Sequence, residues 1–347
     1  MSLRGFLQAI PKVELHVHLE GSMAPDTLWA LARRHRVDLP ANDLTGLRRW
    51  FRFRDFEHFV EIYLTLSACL KDAEDIHRLA TDFLAEQARQ NVVYSEVHFT
   101  ISTHVANGLE GEAVMQALET AAAEAKRRHD IEVRWIPDIV RNNPVERADT
   151  TIEWALAGRG RGVVALGLAG MEKGFTNDPF LEHFAAARAA GLHRVAHAGE
   201  HAGPESVWSA LEDCGAERIG HGVRAIEDAS LVAELARRGV PVEVCPSSNL
   251  CLGVFPEMAH HSFDALRRAG VAVSVNSDDP PLFDTTLSDE YWRLAQAFGY
   301  DAGVLVELAR AAFDHAFVGS AERQILKQRF EREVAACADR EGVALTA

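Results

Sequence analysis

The sequence has few of the features that mark secreted or membrane-spanning proteins. Its five cysteines are scattered through 347 residues, and an odd, scattered set argues for reduced thiols rather than a disulfide framework. No apolar run approaches the roughly 20 residues that a transmembrane helix needs. The N-terminal segment lacks a sustained apolar stretch, so we expect no secretory signal and a cytoplasmic protein.

Positive charge is also scarce. The 36 lysines and arginines are outnumbered by 51 aspartates and glutamates, which gives a formal net charge of −15 at pH 7. A protein that binds nucleic acid or an anionic membrane would need a basic patch strong enough to overcome this field. The densest basic run, residues 33–36, is expected on a solvated helix face. We therefore expect neither nucleic acid nor a membrane as a partner.

What the sequence does contain is an alternation of short β-branched runs with longer amphipathic segments. Eight such units predict an α/β fold, and eight is the number of strands that closes a (β/α)8 TIM barrel. The rival architecture, an open doubly wound sheet, is disfavoured because no Gly-x-Gly-x-x-Gly follows the first strand. The predicted strands are Val13–His18, Val92–Phe99, Glu132–Ile139, Gly162–Leu168, Arg194–Ala198, Arg218–His221, Val242–Cys245 and Val271–Asn276.

The interval between the first two predicted strands is too long for one crossover. Residues 26–90 are expected to form a helical insertion, and the chain beyond Tyr291 is also expected to be helical. We predict that residues 1–347 form a single barrel domain with these additions. The insertion contains an aromatic stretch between Trp50 and Tyr63, which either packs on the barrel as a cap or forms an apolar wall over the active-site mouth.

Polar residues collect at the ends of four predicted strands. Functional groups of such barrels lie at the carboxyl ends of the strands. His16 and His18 alternate along the first strand, so both imidazoles face the same side. Adjacent buried carboxylates are costly unless a cation or hydrogen bonds hold them, so a purely structural role does not explain the set. The other strand ends supply His197, Glu200, His221, Asp278 and Asp279.

Three histidines and one aspartate form a nitrogen-rich donor set that suits Zn²⁺, with iron or cobalt possible by ligand type. An ion held in this way would lower the pKa of a bound water toward about 7. Lys173 follows the fourth strand too late to bridge two metals, so we expect one ion per chain. The predicted ligands are His16, His18, His197 and Asp278.

Six segments of the chain resemble the adenosine deaminase family, a branch of the amidohydrolase superfamily. They occur in the family's order and span most of the chain. The resemblance implies a TIM barrel that uses zinc to deaminate a 6-aminopurine by hydrolysis, with release of ammonia. The segments are PKVELHVHLEGS (11–22), LAGME (168–172), HAGE (197–200), RIGHG (218–222), EVCPSSN (243–249) and SVNSDDP (274–280).

The resemblance also assigns roles to single residues, and the four predicted ligands match the family's metal ligands. Glu200 resembles the acid that protonates N1 of the purine, and His221 the residue that orients and helps deprotonate the water. Asp279 resembles the carboxylate that meets N7, and Gly170 the backbone N–H that meets N3. The substrate-binding residues that it implies are His18, Glu20, Gly170 and Asp279.

Residue chemistry gives independent reasons for two of these roles. Attack on an aromatic C6 becomes easier when the neighbouring ring nitrogen accepts a proton. A carboxylic acid in a dry pocket is expected to have a raised pKa, which suits Glu200 as the donor. A histidine beside a cation is expected to be neutral, which suits His221 as a base or an orienting group.

The choice of substrate stays open. Glu20 stands where nucleoside-specific members commonly carry aspartate, and glutamate at this place is familiar from relatives that accept free adenine. The Leu168-Ala169-Gly170 run keeps the nucleoside-type pattern, and the apolar Met171 could accommodate bulk. We expect adenosine or a 5′-modified adenosine such as 6-aminodeoxyfutalosine, with adenine as the alternative.

Two further classes compete with a purine deaminase. A superfamily hydrolase acting on an ester or amide would not need an acid at position 200. A catalytically idle relative used as a binding module should lack a metal ligand or the acid, and this sequence has both.

Overall fold

Eight short parallel strands form the centre of the molecule. The computed structural model describes residues 2–341, apart from the side chains of Phe56 and Glu341. Each strand pairs with the next along the chain, so the predicted α/β barrel is confirmed. All eight predicted strands are found, with ends within three residues of the predicted ones. They are β1 Lys12–His18, β2 Val92–Phe99, β3 Glu132–Val140, β4 Ala165–Ala169, β5 His193–Ala198, β6 Arg218–His221, β7 Val242–Val244 and β8 Val273–Val275.

A short bridge between β1 and the segment after β8 closes the sheet. The N–H of His18 donates to the carbonyl of Asp278 at 2.9 Å, and the N–H of Asp278 donates to the carbonyl of His16 at 3.2 Å. The side-chain oxygen of Asn276 extends this seam by accepting the N–H of Leu15 at 2.9 Å. The closure of the barrel therefore places Asp278 directly beside the two histidines of β1.

Helices surround the strands, as the alternating pattern predicts. None of the helices within residues 2–341 combines the length and the apolar character that spanning a bilayer would require. They are α1 Leu3–Ala9, α2 Pro25–His35, α3 Leu44–Trp50, α4 Phe56–Ala68, α5 Ala73–Arg89, α6 Ile101–Ala106, α7 Gly111–His129, α8 Glu146–Ala157, α9 Leu181–Ala189, α10 Pro204–Glu212, α11 Ala229–Arg238, α12 Pro246–Cys251, α13 Phe263–Arg268, α14 Leu287–Phe298, α15 Ala302–His315 and α16 Ser320–Glu341.

Four helices, α2 to α5, occupy the interval between β1 and β2. Helices α3, α4 and α5 each begin after an aspartate whose carboxylate accepts an N–H of the first turn, as favourable N-caps do. These residues are Asp43, Asp55 and Asp72. Helix α4 contacts the turn that follows β1, so it lies beside the carboxyl end of that strand.

A buried arginine ties several strands together inside the barrel. Arg218 of β6 forms ion pairs of 2.5 Å with Glu96 of β2 and with Glu243 of β7. Its guanidinium also donates to the carbonyl of His315 at 2.9 Å and lies 3.7 Å from the ring centre of Phe317. Two buried carboxylates are thus compensated by one cation, and Glu96 also accepts the backbone N–H of Phe317 at 2.6 Å.

Replacing Arg218 with methionine should destabilise the fold, because Glu96 and Glu243 would remain buried without their cation. We expect the free energy of unfolding to fall by about 3–5 kcal/mol, measured by urea denaturation. The matched control is Arg237→Met, since Arg237 is exposed on α11 and should shift the midpoint little. A loss for Arg218→Met no larger than that of the control would contradict the assignment.

Candidate active site

A cavity of about 310 Å³ opens at the carboxyl ends of the strands. This volume lies in the range of small-molecule sites. Its inner end is formed by buried polar residues at, or just after, the carboxyl ends of β1, β5, β6 and β8. Its outer end reaches an exposed rim, where Leu64 of α4 is 62% exposed and Met171 is 42% exposed. Predicted site residues that line the cavity are His18, Gly170, His197, Glu200, His221, Asp278 and Asp279.

The predicted metal ligands meet at the inner end of this cavity. The Oδ1 atom of Asp278 lies 3.5 Å from Nε2 of His16 and 3.3 Å from Nε2 of His18. The Nε2 atoms of His18 and His197 are 3.0 Å apart. Nε2 of His16 is buried without a hydrogen-bond partner. Buried acceptor atoms converge in this way at metal sites, because a cation satisfies all of them at once, so the residues present fit a metal ion.

The ring nitrogens that point away from this cluster are held by other groups. Nδ1 of His16 lies 2.9 Å from a carboxylate oxygen of Glu243, and Nδ1 of His197 donates to the carbonyl of Leu168 at 2.9 Å. Burial alone would raise the pKa of Glu243, but Arg218 and His16 lower it to about 2. Glu243 is therefore a carboxylate that accepts the Nδ1 hydrogen of His16, which leaves Nε2 free to bind a metal.

The electrostatics of the cluster favour a positive charge. Burial lowers the pKa of His18 to about 4 and that of His197 well below its usual value, so both imidazoles are neutral at pH 7. Burial also disfavours a charged His16, but its contacts with Asp278 and Glu243 raise the pKa of His16 to about 10. Histidine neighbours likewise outweigh burial and lower the pKa of Asp278. A proton and a metal ion are alternative ways to supply this charge.

A chain of hydrogen bonds determines which nitrogen of His221 carries hydrogen. The backbone N–H of Phe263 donates to Nδ1 of His261 at 3.0 Å, so the hydrogen of a neutral His261 is on Nε2. That nitrogen lies 3.2 Å from Oδ1 of Asn249, and Nδ2 of Asn249 lies 3.3 Å from Nδ1 of His221. Because an amide N–H can only donate, Nδ1 of His221 accepts and its hydrogen is on Nε2.

This chain helps to separate two candidates for the fourth ligand. The donor atoms of His16, His197, His221 and Asp278 all lie within 4.8 Å of one another, so geometry alone would admit His221. However, Nε2 of His221 carries hydrogen and lies 3.8 Å from a carboxylate oxygen of Glu200. Nδ1 of His18 lies 3.6 Å from Asp138, which leaves Nε2 of His18 facing the cluster. These contacts favour His18 as the ligand.

Two glycines make room for the site's side chains. A Cβ atom on Gly220 would lie 2.8 Å from a ring carbon of His16, and one on Gly21 would lie 1.6 Å from Oδ1 of Asp279. Neither position tolerates a larger residue without moving these groups. Left-handed backbone angles add strain next to them, with φ at 59° in His221 and 64° in Asp278. Strain of this kind is common where function constrains the backbone.

Glu200 lies in a turn that Glu172 holds in place. Glu172 Oε1 accepts the N–H groups of Glu200 and His201, and Oε2 accepts the N–H of Gly199, each at 2.8 Å. The hydroxyl of Ser206 adds a fourth hydrogen bond at 2.6 Å. With all four lone-pair directions of its carboxylate used, Glu172 connects β4 to the start of α10 and orients the Glu200 side chain into the cavity.

The expected pKa shift of Glu200 is wrong in direction. Burial does raise the pKa of this carboxyl, as expected in a dry pocket, but His221 and His201 outweigh burial and lower it below its usual value. The nearest contact is with Nδ1 of His201, at 3.1 Å. Asp279 behaves in the opposite way, because burial and the charge of Asp278 raise its pKa.

Glu20 lies behind the cavity wall rather than on it. Its Oε1 accepts the N–H and the hydroxyl of Thr100, each at 2.8 Å, and lies 2.7 Å from Nε2 of His104. Burial opposes ionisation, but His104 and Thr100 lower the pKa of Glu20 to about 2. Its Oε2 has no hydrogen-bond partner. Thr100, not Glu20, lines the cavity.

The aromatic stretch of the insertion contributes to the wall. Phe59 and Tyr63 of α4 line the cavity, and Phe53 packs edge-on against Phe59 with ring centres 5.4 Å apart. The side chain of Phe56 lies outside the described residues. The hypothesis of an apolar wall over the mouth is therefore supported by two residues of the stretch.

Several positioning residues were not predicted from the sequence. Each is a single polar residue within a strand, a helix or a loop, and its partner is distant in the chain. For some of them a signal was present, because a charged residue in the middle of a buried strand needs a partner. The missed residues are Asp138, Glu172, Glu243, Asn249 and His261.

Comparisons with known proteins agree with this geometry. A family model described as adenosine deaminase matches residues 11–332. The chain belongs to this family. It is 39% identical over 318 residues to an aminodeoxyfutalosine deaminase from Streptomyces coelicolor, covering 91% of this chain and 82% of that protein. It is 36% identical to an adenine deaminase from Albidiferax ferrireducens, covering 94% of this chain and 93% of that protein.

A solved structure extends the comparison to the metal site. An amidohydrolase from Burkholderia ambifaria with bound Zn superimposes with a TM-score of 0.89 at 26% identity, covering 98% of this chain and 95% of that chain. The family resemblance that the six motifs indicate is confirmed, and the chain is a purine deaminase, a hydrolase of C–N bonds in cyclic amidines. The relatives' names divide between two substrates.

Removing one imidazole should release the metal ion. We expect purified protein to contain about one zinc per chain by mass spectrometry, and His16→Ala to fall below about a tenth of this, because the remaining donors no longer surround the ion. The control His129→Ala alters an exposed histidine at the end of α7 and should keep its zinc. Full turnover by metal-free protein would contradict the assignment.

Replacing Glu172 with glutamine should impair catalysis without removing the metal. Glutamine offers one acceptor oxygen, so N–H groups of the 199–201 turn would face an amide N–H instead. We expect kcat to fall about 10- to 100-fold through misplacement of Glu200, with zinc content unchanged. The control Glu182→Gln, on the exposed face of α9, should leave kcat unchanged. Unaltered kcat in Glu172→Gln would show that the turn does not depend on Glu172.

Proposed function

We propose that this protein deaminates a 6-aminopurine nucleoside by hydrolysis, with one zinc ion per chain, and that its substrate extends beyond the C5′ atom of the ribose. The metal ligands in this proposal are His16, His18, His197 and Asp278. Their support is the convergence of four buried donor atoms and the second hydrogen bonds that hold the imidazoles. The zinc in the similar amidohydrolase makes zinc the first metal to test.

A zinc ion in this cluster would supply Lewis-acid activation of a water molecule. The protein's own residues then direct the addition of water across the C6–N1 bond, in which C6 gains oxygen and N1 gains hydrogen. The amino group leaves as ammonia with the second hydrogen of that water, and C6 keeps a carbonyl. Each role falls to a group at the inner end of the cavity.

In this scheme Glu200, which its lowered pKa leaves ionised, receives the first hydrogen of the water and passes it to N1. It lines the cavity, its side chain is 12% exposed, and its Oε2 lies 3.8 Å from Nε2 of His221. His221 donates a hydrogen bond from Nε2 and thereby orients the attacking oxygen, since Asn249 occupies its other nitrogen. Asp279 has a raised pKa, so a protonated carboxyl can donate to N7 of the purine.

The observation that favours a nucleoside over a free base is the extent of the cavity. Besides the inner polar cluster, its lining includes Thr103, Gly170, Asn142 and Asn143, and it reaches the exposed Met171. A purine placed with C6 at the cluster would leave this outer part for a ribose and its substituent. The 39% identity to an aminodeoxyfutalosine deaminase agrees with a 5′-modified adenosine.

Adenine is the second candidate, because an adenine deaminase is a relative of nearly equal similarity. The contacts of Glu20 also favour it. Oε1 of Glu20 is already engaged by Thr100 and His104, and the residue does not line the cavity, so it gives no direct contact for a ribose hydroxyl.

A substrate panel followed by ultraviolet absorbance tests the proposal, since loss of the 6-amino group changes the purine chromophore. We expect the highest kcat/KM for a 5′-extended adenosine, a lower value for adenosine and the lowest for adenine. The reverse order would support the adenine alternative, and absence of turnover on all three would refute deamination of these purines.

The role of Glu200 can be tested on the best substrate of that panel. Glu200→Gln should lower kcat at least about 100-fold, because glutamine cannot transfer a proton, while zinc content stays constant. The control Glu153→Gln changes an exposed residue of α8 and should have no effect. Substantial activity of Glu200→Gln would favour an ester or amide hydrolase, which needs no acid at this position.

A further inference from the structure

We propose that Arg147 binds a carboxylate at the far end of the substrate's 5′ extension. This inference rests on the proposed function and names the chemical class of the substituent. It concerns the outer part of the cavity, away from the metal cluster. Arg147 is the second residue of α8 and is one of the residues that line the cavity.

The exposure of the lining residues shows that Arg147 lies in the outer part of the cavity. The inner residues His197, His221 and Asp278 are 6%, 1% and 4% exposed. Asn142, on the loop between β3 and α8, is exposed, and Arg147 just beyond it is half-buried. The loop is anchored to the segment that follows β4, because Oδ1 of Asn142 accepts the N–H of Met171 at 3.1 Å. Arg147 thus stands at the outer part, on a supported element.

The guanidinium of Arg147 is available for a ligand. Within residues 2–341 it forms no ion pair or hydrogen bond. The printed contacts of Arg147 are made by its backbone: its N–H donates to the carbonyl of Pro144 at 3.0 Å, and its carbonyl accepts the hydroxyl of Thr151 at 3.2 Å. Helix α8 offers it no acid one turn away, since Asn143, Pro144, Thr150 and Thr151 occupy those positions. Other arginines of this acidic chain, such as Arg161 and Arg238, are paired with glutamates.

The charge of Arg147 is not repeated elsewhere in the cavity. Among the described residues that line it, Arg147 is the only lysine or arginine. At the inner end, Glu200, Asp278 and Asp279 supply carboxyl groups instead. The side chain that can pair with an anionic group of a substrate therefore stands at the rim, away from the reacting centre. This polarity orients a purine with its reacting edge inward.

The surroundings of Arg147 indicate which anion it binds. The outer cavity also presents apolar side chains, namely Leu64, Met171, Leu252 and Phe59. Such a surface suits an apolar spacer, such as an aromatic ring, between the ribose and the charge. A phosphate is commonly bound by several cations or backbone N–H groups, whereas one planar guanidinium pairs well with one carboxylate. We therefore infer a carboxylate on an apolar spacer.

The test compares two substrates that differ only in the distal charge. One is an adenosine with a carboxyphenyl group beyond C5′, and the other is its methyl ester. Because the reacting purine is identical, the ratio of their kcat/KM values isolates recognition of the carboxylate. For the wild-type protein we expect the acid to be favoured at least about tenfold, as a charge-assisted pair at a partly exposed site permits.

Arg147→Gln should bring this ratio close to one, and Arg147→Lys should restore part of it. The matched control Arg188→Gln removes an exposed arginine on α9 and should leave the ratio as in the wild type. Calorimetric binding of the deaminated acid gives a second readout, with affinity at least about tenfold weaker in Arg147→Gln only. The effect of Arg147→Gln on kcat/KM is also measured for adenosine 5′-monophosphate, which carries a phosphate in place of the carboxylate.

The outcomes separate this inference from the proposed function. If acid and ester are both deaminated with equal kcat/KM in the wild type, the Arg147 site is wrong and the deaminase proposal stands. If Arg147→Gln affects adenosine 5′-monophosphate more than the carboxylate, the site binds phosphate and the carboxylate inference is overturned. If no nucleoside is deaminated, the proposed function itself fails.

Discussion

The structure depends on one unfavourable arrangement, the convergence of unprotonated donor atoms inside a closed barrel. Nε2 atoms of His18 and His197 face each other at 3.0 Å, and the carboxylate of Asp278 lies 3.3 Å from the first of them. Such acceptor atoms are unfavourable at this distance unless a proton or a metal ion lies among them. Two kinds of contact hold them in place. Backbone hydrogen bonds join β1 to Asp278, and Glu243 contacts His16 on one side and forms an ion pair with Arg218 on the other. Metal binding and stability of the fold are therefore coupled.

Around this cluster, the groups proposed to act on the substrate are held by neighbours rather than by the metal. The carboxylate of Glu172 holds the turn that carries Glu200. The side chain of Asn249 donates to Nδ1 of His221 and thereby fixes which nitrogen of His221 carries hydrogen. The absence of a side chain at Gly21 leaves space for Asp279. These contacts fix the side chains before a substrate binds, so the inner cavity is preorganised. The outer cavity, among the described residues, offers the unpaired guanidinium of Arg147 and an apolar surface.

The sequence predicted the architecture and the main donors for identifiable reasons. Eight β-branched runs separated by amphipathic segments permit few topologies, and alternation along β1 places His16 and His18 on one face. The sequence did not reveal that His221 also lies within reach of the cluster, because the choice between His18 and His221 depends on a hydrogen position set by Asn249 and His261. The lowered pKa of Glu200 could not be foreseen either, since its contact with His201 arises from the turn's geometry.

The most direct test of the central claim is a crystal structure of the zinc-loaded protein with anomalous diffraction recorded on both sides of the zinc edge. The account predicts one anomalous peak per chain, bound by Nε2 of His16, His18 and His197 and by the carboxylate of Asp278 at about 2.0–2.2 Å. His221 should remain outside the ligand shell and keep its hydrogen bond to Asn249. A peak bound by His221 in place of His18, or no peak among these residues, would contradict the account.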